Sequence, residues 1–226
     1  MMTFPIASWG LVVFDFDGTL ADTFPFFLTV FNRIADKHGF DRIDTNNVEA
    51  LRHYNTRQMM RHVRMPAWKL PLASKDFIEL MRQSTAGLKL FDGIPEALRA
   101  LHKNGVRLAI VSSNSEHNVR QVLGPELSAL IAEFDCGMSI FGKASRIRKV
   151  LKNAGLKASD AIYIGDQDTD AEAAHKVGMP FGAVHWGYAR IESLRLRGVQ
   201  AEFRSPADLV RIAGSGAAVR QRETTA

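Results

Sequence analysis

Residues 11–20 read LVVFDFDGTL, an apolar run that ends abruptly in two acidic side chains and a glycine. The run Leu11–Phe14 is short and continuous, as is typical of a strand buried on both faces of a parallel sheet. Asp15 and Asp17 are two residues apart, so at the end of a strand their side chains share one face and point into the same crevice. Gly18 then lets the backbone turn sharply. The stretch predicts a buried strand that delivers two carboxylates to the edge of a sheet.

Beyond residue 93 the chain alternates short apolar runs with amphipathic stretches, several of which end at a glycine. Strands are expected at residues 106–111, 134–140, 161–164 and 181–184. Helices are expected at about residues 95–104, 116–123, 143–154, 169–177 and 206–212. Alternation of this kind predicts an α/β fold with a doubly wound, Rossmann-like parallel sheet.

The stretch between residues 21 and 88 does not follow this alternation. One helix with Pro25 in its first turn closes at Gly39, and the pattern beyond it stays helical, with interruptions at Pro66 and Pro71. A helical insertion after the first strand would lie over the carboxyl edge of the sheet, where folds of this class hold their sites. The expected parts are a core of residues 1–20 and 89–213, an inserted all-helical cap of residues 21–88, and a flexible tail of residues 214–226.

The composition is that of a globular protein, since 46% of the 226 residues are hydrophobic and 23% are charged. These proportions exclude collagen-like, low-complexity and wholly disordered chains. The single cysteine, Cys136, cannot form an internal disulfide, which favours a reducing compartment. The apolar N-terminal run stops at Asp15, far short of the roughly 18 residues of a membrane span, and no basic residue precedes it. We expect a cytoplasmic protein without a membrane partner.

The net charge of +5 is unevenly distributed, because residues 41–75 carry seven basic side chains against three acidic ones. That balance fits a solvated helix face, and equally a surface that meets an anionic substrate. Arg57 and Arg61 are four residues apart and can share a helix face, so Arg57 is a candidate to bind a distal anion of the substrate. Aromatic residues do not interleave with the basic ones as they do in single-strand binders, so nucleic acid is not an expected partner.

A second acidic cluster follows the expected strand at residues 161–164, where residues 165–170 read GDQDTD. The carboxyl ends of parallel strands meet at one edge of a sheet, so these three aspartates can join the two of residues 11–20. Carboxylates gathered in this way repel one another unless a hard divalent cation such as Mg²⁺ neutralises them. The spacing mimics an EF-hand calcium loop, but that loop requires Gly and Glu where this chain has Ala171 and Val177, which excludes it.

Polar donors follow a third strand, where residues 111–115 read VSSNS. The candidates to hold phosphoryl oxygens through hydroxyl and backbone donors are Ser112, Ser113 and Asn114. Residues 137–144 read GMSIFGKA and match the first seven positions of a nucleotide-binding P-loop. The eighth position is Ala144, which lacks the hydroxyl that binds magnesium, so a P-loop is not expected. Lys143 in that stretch can still reach a phosphate.

Taken together, these motifs resemble those of the haloacid dehalogenase superfamily of phosphotransferases. The resemblance covers nearly the whole chain, and the residues that match its four motifs in order are Asp15 to Thr19, then Ser112, then Lys143, then Asp166 with Asp170. Residues 182–188, which read GAVHWGY, further resemble the phosphoglycolate phosphatase branch of that superfamily. Lys143 is followed by Ala144, where members of that branch commonly have a proline.

The resemblance implies a phosphatase that hydrolyses a small phosphate monoester, phosphoglycolate-like or a sugar phosphate, through an aspartyl-phosphate. Asp15 would be the nucleophile and Asp17 the general acid and base. Mg²⁺ would be held by the carboxylates of Asp15 and Asp166 and by the backbone carbonyl of Asp17. Lys143, steered by Asp170, would stabilise charge on the transferring group together with the serine of the second motif. Dehalogenation is not expected, because the dehalogenases lack the counterpart of Asp17.

Three other functions remain open. A phosphomutase or phosphotransferase of the same superfamily would use the same site and pass the phosphoryl group to a second hydroxyl. A nucleic-acid-binding module would show steeply salt-dependent binding. A catalytically inactive regulatory relative would keep the fold, although the retained Asp15 and Asp17 argue against it. The sequence specifies neither the phosphate ester nor the oligomeric state.

Overall fold

A six-stranded parallel sheet forms the centre of the protein. The structure is a computed structural model that describes residues 9–46, 48–84, 88–137 and 142–214. In chain order the strands within these residues are β1 (Leu11–Phe14), β2 (Ala21–Asp22), β3 (Lys89–Leu90), β4 (Arg107–Ser112), β5 (Glu133–Cys136), β6 (Ala161–Gly165), β7 (Phe181–Val184) and β8 (Ala201–Phe203). The sheet order is β5-β4-β1-β6-β7-β8, and each neighbouring pair is parallel. This confirms the predicted doubly wound α/β fold.

Helices cover both faces of this sheet and fill the stretch between β2 and β3. In chain order they are α1 (Phe24–His38), α2 (Glu49–Arg52), α3 (Thr56–His62), α4 (Leu70–Gln83), α5 (Ile94–Lys103), α6 (Glu116–Leu130), α7 (Gly142–Ala154), α8 (Asp168–His175), α9 (Ile191–Arg195) and α10 (Arg211–Gly214). Short 3₁₀ turns lie at Ala67–Lys69, Ala158–Asp160 and Pro206–Val210. Among the described helices, none has both the length and the apolar character that a bilayer crossing requires.

The central strand β1 is buried on both faces, which explains its unbroken apolar sequence. Val12 and Phe14 pack into the hydrophobic cluster that includes residues of α5 and α6. Leu11 and Val13 pack on the other side, against residues of α7 and α8. None of these four side chains is more than 2% exposed. The sheet is therefore the middle layer of three, as expected for a strand pattern without polar alternation.

The helical stretch leaves the sheet region and returns to it at one place. β2 and β3 pair antiparallel, with Ala21 opposite Leu90, so the outgoing and returning chain segments lie side by side. Helices α1 to α4 occupy the sequence between them, and Phe31, Leu51 and Val63 form a hydrophobic cluster of their own within it. The residues between these two short strands are most of those expected for the cap, 21–88, and the division into cap and core stays a prediction.

Helix α6 and strand β8 differ from the sequence expectations. Helix α6 continues past residue 123 to Leu130 because Gly124 takes a left-handed conformation (φ 72°) and Pro125 starts a further helical segment. Strand β8 was not expected, since three residues interrupted by Glu202 carry almost no periodic signal. Residues 138–140 of the strand expected at 134–140, residues 138–141 of the P-loop-like stretch, and the tail beyond residue 214 lie outside the described residues.

Candidate active site

Three neighbouring strands end at the candidate site. β1 lies between β4 and β6, and the pairing places Phe14 beside Ile110 on one side and Ile164 on the other. The residues that follow these strands therefore emerge at one edge of the sheet, Asp15 after β1, Asp166 after β6 and the polar stretch at the end of β4. The backbone N–H of Asp15 donates to the carbonyl of Ile164 at 2.9 Å, which continues the ladder up to the nucleophile candidate.

A half-buried ammonium group joins two buried carboxylates at this edge. Lys143 Nζ lies 3.0 Å from Asp15 Oδ1 and 2.5 Å from Asp170 Oδ1. One carboxylate oxygen from each of Asp15, Asp166 and Asp170 lies within 4.8 Å of the other two. Asp15 is 7% exposed, and Asp166 and Asp170 are fully buried. The two acidic motifs, which are about 150 residues apart in the chain, thus surround one small space.

Asp170 connects Lys143 to the loop after β6. Its Oδ2 accepts hydrogen bonds from the backbone N–H groups of Asp166 (3.1 Å) and Gln167 (3.0 Å), while its Oδ1 faces Lys143. Gly165 leaves room for this contact, because a Cβ there would lie 2.6 Å from Asp170 Cγ. Asp170 therefore fixes both the loop and the position of the ammonium group.

Asp166 is held by two donors and enclosed by two glycines. Its Oδ1 accepts a hydrogen bond from Thr19 Oγ1 at 2.8 Å, and its Oδ2 accepts one from the backbone N–H of Tyr188 at 2.9 Å. A Cβ at Gly18 would lie 2.8 Å from Asp166 Cγ, and a Cβ at Gly187 would lie 2.9 Å from the same atom. Gly18 also has a φ of 81°, which side-chain-bearing residues rarely adopt. The acid is placed by contacts from two separate parts of the chain, residues 18–19 and residues 187–188.

Asp17 contacts a different partner. Both of its carboxylate oxygens accept from Asn114 Nδ2, each at 3.2 Å. Asn114 is buried. Its backbone N–H donates to Ser112 Oγ at 3.1 Å, and its side-chain Oδ1 accepts from Asn118 Nδ2 at 3.0 Å. Ser113 is exposed and lines the cavity described below. The polar stretch after β4 thus meets the second aspartate of the first motif.

The carboxylates are under-neutralised, and their pKa values reflect it. Burial raises the pKa of Asp15 to about 7 against the opposing charge of Lys143, with Asp170 and Asp17 adding to the rise. Burial also raises the pKa of Asp17, and it raises the pKa of Asp166 well above the ordinary value, aided by the charges of Asp170 and Asp15. Burial alone would lower the pKa of Lys143, but Asp15 and Asp170 raise it well above the ordinary value. Among the described residues, Lys143 pairs with Asp15 and Asp170, and neither Asp17 nor Asp166 forms a salt bridge with it.

This donor set fits a hard divalent cation. Within the described residues the cluster that could hold a metal consists of Asp15, Asp166 and Asp170, with neither histidine nor cysteine among them. Carboxylate oxygens suit Mg²⁺ and Ca²⁺, whereas zinc and copper favour nitrogen and sulfur ligands. A divalent cation at this point would also reduce the repulsion that raises the carboxylate pKa values.

A cavity of about 330 Å³ extends from Asp17 into the helical stretch. Its core end is lined by Asp17, Ser113, Asn114 and Gln167. Its walls come from helices α1 to α4 and the segments between them, and most of them are aromatic, aliphatic or methionine side chains. Arg52 is the one cation among the described residues that line it. The site thus combines the carboxylate of Asp17 at the core end with a cavity whose walls are largely apolar.

The structure does not bring Arg57 to this cavity. Thr56 and Met59 of helix α3 line the cavity, whereas Arg57 is exposed and lines a separate surface depression together with Arg61. The two arginines share a helix face as their spacing predicts, but that face is not the one that meets the site. Arg52, which precedes α3, lies at the cavity instead.

Tyr188 is a contact that the sequence analysis missed. Its hydroxyl accepts from the backbone N–H of Thr23 at 2.9 Å and lies 3.0 Å from Thr23 Oγ1, while its carbonyl lies 2.8 Å from His53 Nδ1. Together with its N–H bond to Asp166, this residue connects the metal-site candidate to the helical stretch. The available signal was the GAVHWGY segment, which contains it, and Trp186 of the same segment donates to the carbonyl of Thr19 at 3.0 Å.

Asp168, the remaining acid of the second motif, lies away from the cluster. It accepts a hydrogen bond from Ser193 Oγ at 3.0 Å and pairs with Arg197 at 3.4 Å. It begins helix α8, where a carboxylate stabilises the helix N-terminus. These contacts account for the residue without a part in the site.

Comparison with protein families and curated proteins gives consistent matches over most of the chain. The profile of a family described as haloacid dehalogenase-like hydrolase matches residues 12–184. A phosphoglycolate phosphatase of Synechococcus elongatus is 29% identical over 200 residues, which cover 88% of this chain and 94% of that protein. An N-acetylmuramic acid 6-phosphate phosphatase of Pseudomonas aeruginosa is 28% identical over 193 residues, which cover 80% of this chain and 84% of that protein.

Solved structures share the fold at lower sequence identity. A haloacid dehalogenase-like family protein from Streptococcus pneumoniae superposes with a TM-score of 0.74 at 18% identity, covering 89% of this chain and 97% of that chain. A CbbY variant from Rhodobacter sphaeroides in complex with xylulose-(1,5)bisphosphate gives a TM-score of 0.65 at 21% identity, covering 88% of this chain and 96% of that chain. At these identities the likeness establishes the architecture alone.

The glycine at position 187 provides a test of the enclosed Asp166. Gly187→Ala should lower the free energy of unfolding by about 1–3 kcal/mol, because the new methyl group would overlap Asp166 and approach the carbonyl of Gly18 to 2.9 Å. Urea unfolding followed by circular dichroism measures the change. Gly10→Ala is the matched control, since a Cβ there meets nothing closer than 3.8 Å. Equal stability of the two variants would contradict the described packing.

Proposed function

Because the chain belongs to the haloacid dehalogenase-like hydrolase family and is a phosphoric monoester hydrolase of that family, we propose that it cleaves a small phosphate monoester through an aspartyl-phosphate formed on Asp15. The observation that carries the proposal is the buried carboxylate of Asp15, which lies beside Lys143 and the other acids at the edge of the sheet. The curated relatives are phosphatases by name, which supports a phosphate ester as the substrate. The cytoplasmic location stays a prediction.

The chemistry divides into two steps. In the first, a carboxylate oxygen of Asp15 attacks phosphorus and forms a new P–O bond, while the ester P–O bond breaks. The leaving alcohol oxygen takes a proton from Asp17, whose pKa is raised by burial. In the second step, water attacks phosphorus and gives its proton to Asp17, while the P–O bond to Asp15 breaks. Inorganic phosphate leaves and the carboxylate of Asp15 is restored.

We assign the cation as Mg²⁺, held by the carboxylates of Asp15 and Asp166 and by the backbone carbonyl of Asp17. When bound, the cation offsets the repulsion between a carboxylate nucleophile and an anionic phosphate. Thr19 and the backbone N–H of Tyr188 fix the carboxylate of Asp166, so that this ligand is oriented by the protein.

Lys143 is the principal protein cation of the proposed mechanism. Asp170 holds its ammonium group beside the Asp15 oxygen, where negative charge on the transferring group develops. Lys143 also favours the ionised form of Asp15 over the protonated one. From the side of β4, Ser112 and Ser113 supply hydroxyl and backbone donors to the phosphoryl oxygens.

Helices α1 to α4 act as a cap that excludes water from Asp17. Support comes from the contacts of Tyr188 with Thr23 and His53, which connect the cap to the loop that carries the Asp166 contact. Arg52 takes the place of Arg57 as the cap cation closest to the substrate, because it lines the cavity. The cap and the core would therefore contribute separate parts of the site, the chemistry from the sheet edge and the selectivity from the helices.

The first test removes the nucleophile. Asp15→Asn should lower kcat for phosphate release by on the order of a thousandfold or more, because an amide does not attack phosphorus. Phosphate release from a panel of esters in the presence of Mg²⁺ measures the effect. Asp36→Asn is the control for the same chemical change at an exposed position, and it should retain full activity. Near-normal turnover of Asp15→Asn would refute the aspartyl-phosphate.

The second test removes the metal. Dialysis against EDTA should abolish phosphate release, and Mg²⁺ should restore it, because without the cation the carboxylates of Asp15 and Asp166 would repel the phosphate. Mg²⁺ should also raise the Tm of the EDTA-treated protein, since a cation that binds only the folded state stabilises it. Asp166→Asn should need at least about tenfold more Mg²⁺ for the same Tm increase. Full activity in EDTA would contradict the metal assignment.

A further inference from the structure

The cavity above Asp17 is chemically unlike a site for a small, multiply charged ester. Five of its described lining side chains are phenylalanines and three are methionines. Phe27, Phe77, Met59 and Met65 are half-buried and face this space. Apolar surface left in water costs about 25 cal/mol per Å², so these walls gain stability from an apolar ligand that displaces water.

Arg52, the one cation among the described residues that line the cavity, is already paired with a carboxylate of the protein. Arg52 Nη2 lies 3.6 Å from Asp22 Oδ1, and its guanidinium carbon lies 5.4 Å from the ring centre of Phe24 and 5.6 Å from that of Tyr188. Asp22 Oδ1 is buried and has no hydrogen-bond partner among the described residues, so Arg52 provides its charge balance. A substrate carboxylate in the cavity would compete with Asp22 for Arg52, which reduces the gain from binding a second anion there.

The size of the cavity fits a group larger than the two carbons of glycolate. A cavity of about 150 Å³ lined by aliphatic and aromatic side chains accommodates benzene. The volume here is about 330 Å³, which leaves room for a ring together with the atoms that join it to the ester oxygen. The cavity reaches the carboxylate of Asp17, so an alcohol held in it has its oxygen next to the proposed acid.

We propose that the natural substrate is a phosphate monoester of an uncharged, bulky apolar alcohol, with an aromatic ring or an alkyl chain of about six to eight carbons occupying the cavity. This inference rests on the proposed phosphatase function and names its substrate class. The apolar group packs among the phenylalanines and methionines, and the phosphoryl group faces Asp15 and Lys143. Hydrolysis then releases the alcohol, protonated by Asp17, and inorganic phosphate.

A series of primary alkyl phosphates tests the proposal with the leaving group held nearly constant. Ethyl phosphate, n-hexyl phosphate, 2-phenylethyl phosphate and 2-phosphoglycolate are compared by kcat/KM for phosphate release with Mg²⁺. Full burial of a methylene contributes about fourfold. The hexyl and phenylethyl esters should therefore exceed ethyl phosphate and phosphoglycolate by at least about tenfold.

A binding measurement separates recognition from chemistry. Ethylphosphonate and 2-phenylethylphosphonate carry a P–C bond that the enzyme does not cleave, and each is tested as an inhibitor of ethyl phosphate hydrolysis. The phenylethyl compound should inhibit with an inhibition constant at least about tenfold lower. Equal inhibition by the two compounds would overturn the proposal.

A matched pair of variants tests whether the cavity causes the preference for the larger apolar esters. Met59→Gln keeps the shape of the side chain and adds an amide to the cavity wall, so the ratio of kcat/KM for phenylethyl over ethyl phosphate should fall at least about fivefold. Leu72→Gln makes a similar change on the exposed surface of helix α4, where Leu72 is 48% exposed, and should keep the wild-type ratio. The ratio does not depend on the fraction of folded enzyme. An unchanged ratio in Met59→Gln would overturn the assignment of the cavity.

The outcomes distinguish failure of the proposed substrate class from failure of the proposed phosphatase function. Efficient hydrolysis of phosphoglycolate or ethyl phosphate, without an advantage for the larger esters, would overturn the substrate class and leave the phosphatase function standing. Failure to hydrolyse any of the four esters with Mg²⁺ present would count against the phosphatase function, and the substrate class would fall with it.

Discussion

Repulsion among buried carboxylates is the constraint around which this structure is organised. Asp15, Asp17, Asp166 and Asp170 gather at the carboxyl edge of the sheet, and the ammonium group of Lys143 pairs with two of them, Asp15 and Asp170. The protein offsets part of this cost with fixed donors, among them the hydroxyl of Thr19, the amide of Asn114 and the backbone N–H groups of the loop after β6. Such a concentration of charge costs stability, so it is expected where binding and catalysis require it.

Short-range patterns were enough to predict the core of this site. The apolar run of β1, the acids directly after it and the second acidic motif after β6 each depend on a few consecutive residues. Parallel pairing then brings their ends together by a general rule, which β1 obeys by placing Phe14 between Ile110 and Ile164. The sheet and the convergence of the acids were predictable for this reason.

Features that depend on how the helices pack were not predictable. Arg57 was the plausible candidate for a substrate contact because it lies in a basic stretch, yet the rotation of helix α3 turns Thr56 and Met59 toward the cavity and Arg57 away from it. Met59 packs against the hydrophobic cluster that contains Phe24 and Phe31 of α1, a long-range contact that no local pattern encodes. The role of Tyr188 was hidden likewise, since its partners Thr23 and His53 are more than 130 residues away in the chain.

The short ribbon of β2 and β3 bears on how such a protein can change over evolutionary time. Since Ala21 pairs with Leu90, the polypeptide leaves and returns through neighbouring positions. The pairing of the two strands does not depend on the number of residues between them. The entropic cost of closing a loop grows only with the logarithm of its length. A lineage can therefore lengthen, shorten or recompose the intervening helices while the catalytic edge is inherited intact, which is a route by which one scaffold acquires many specificities.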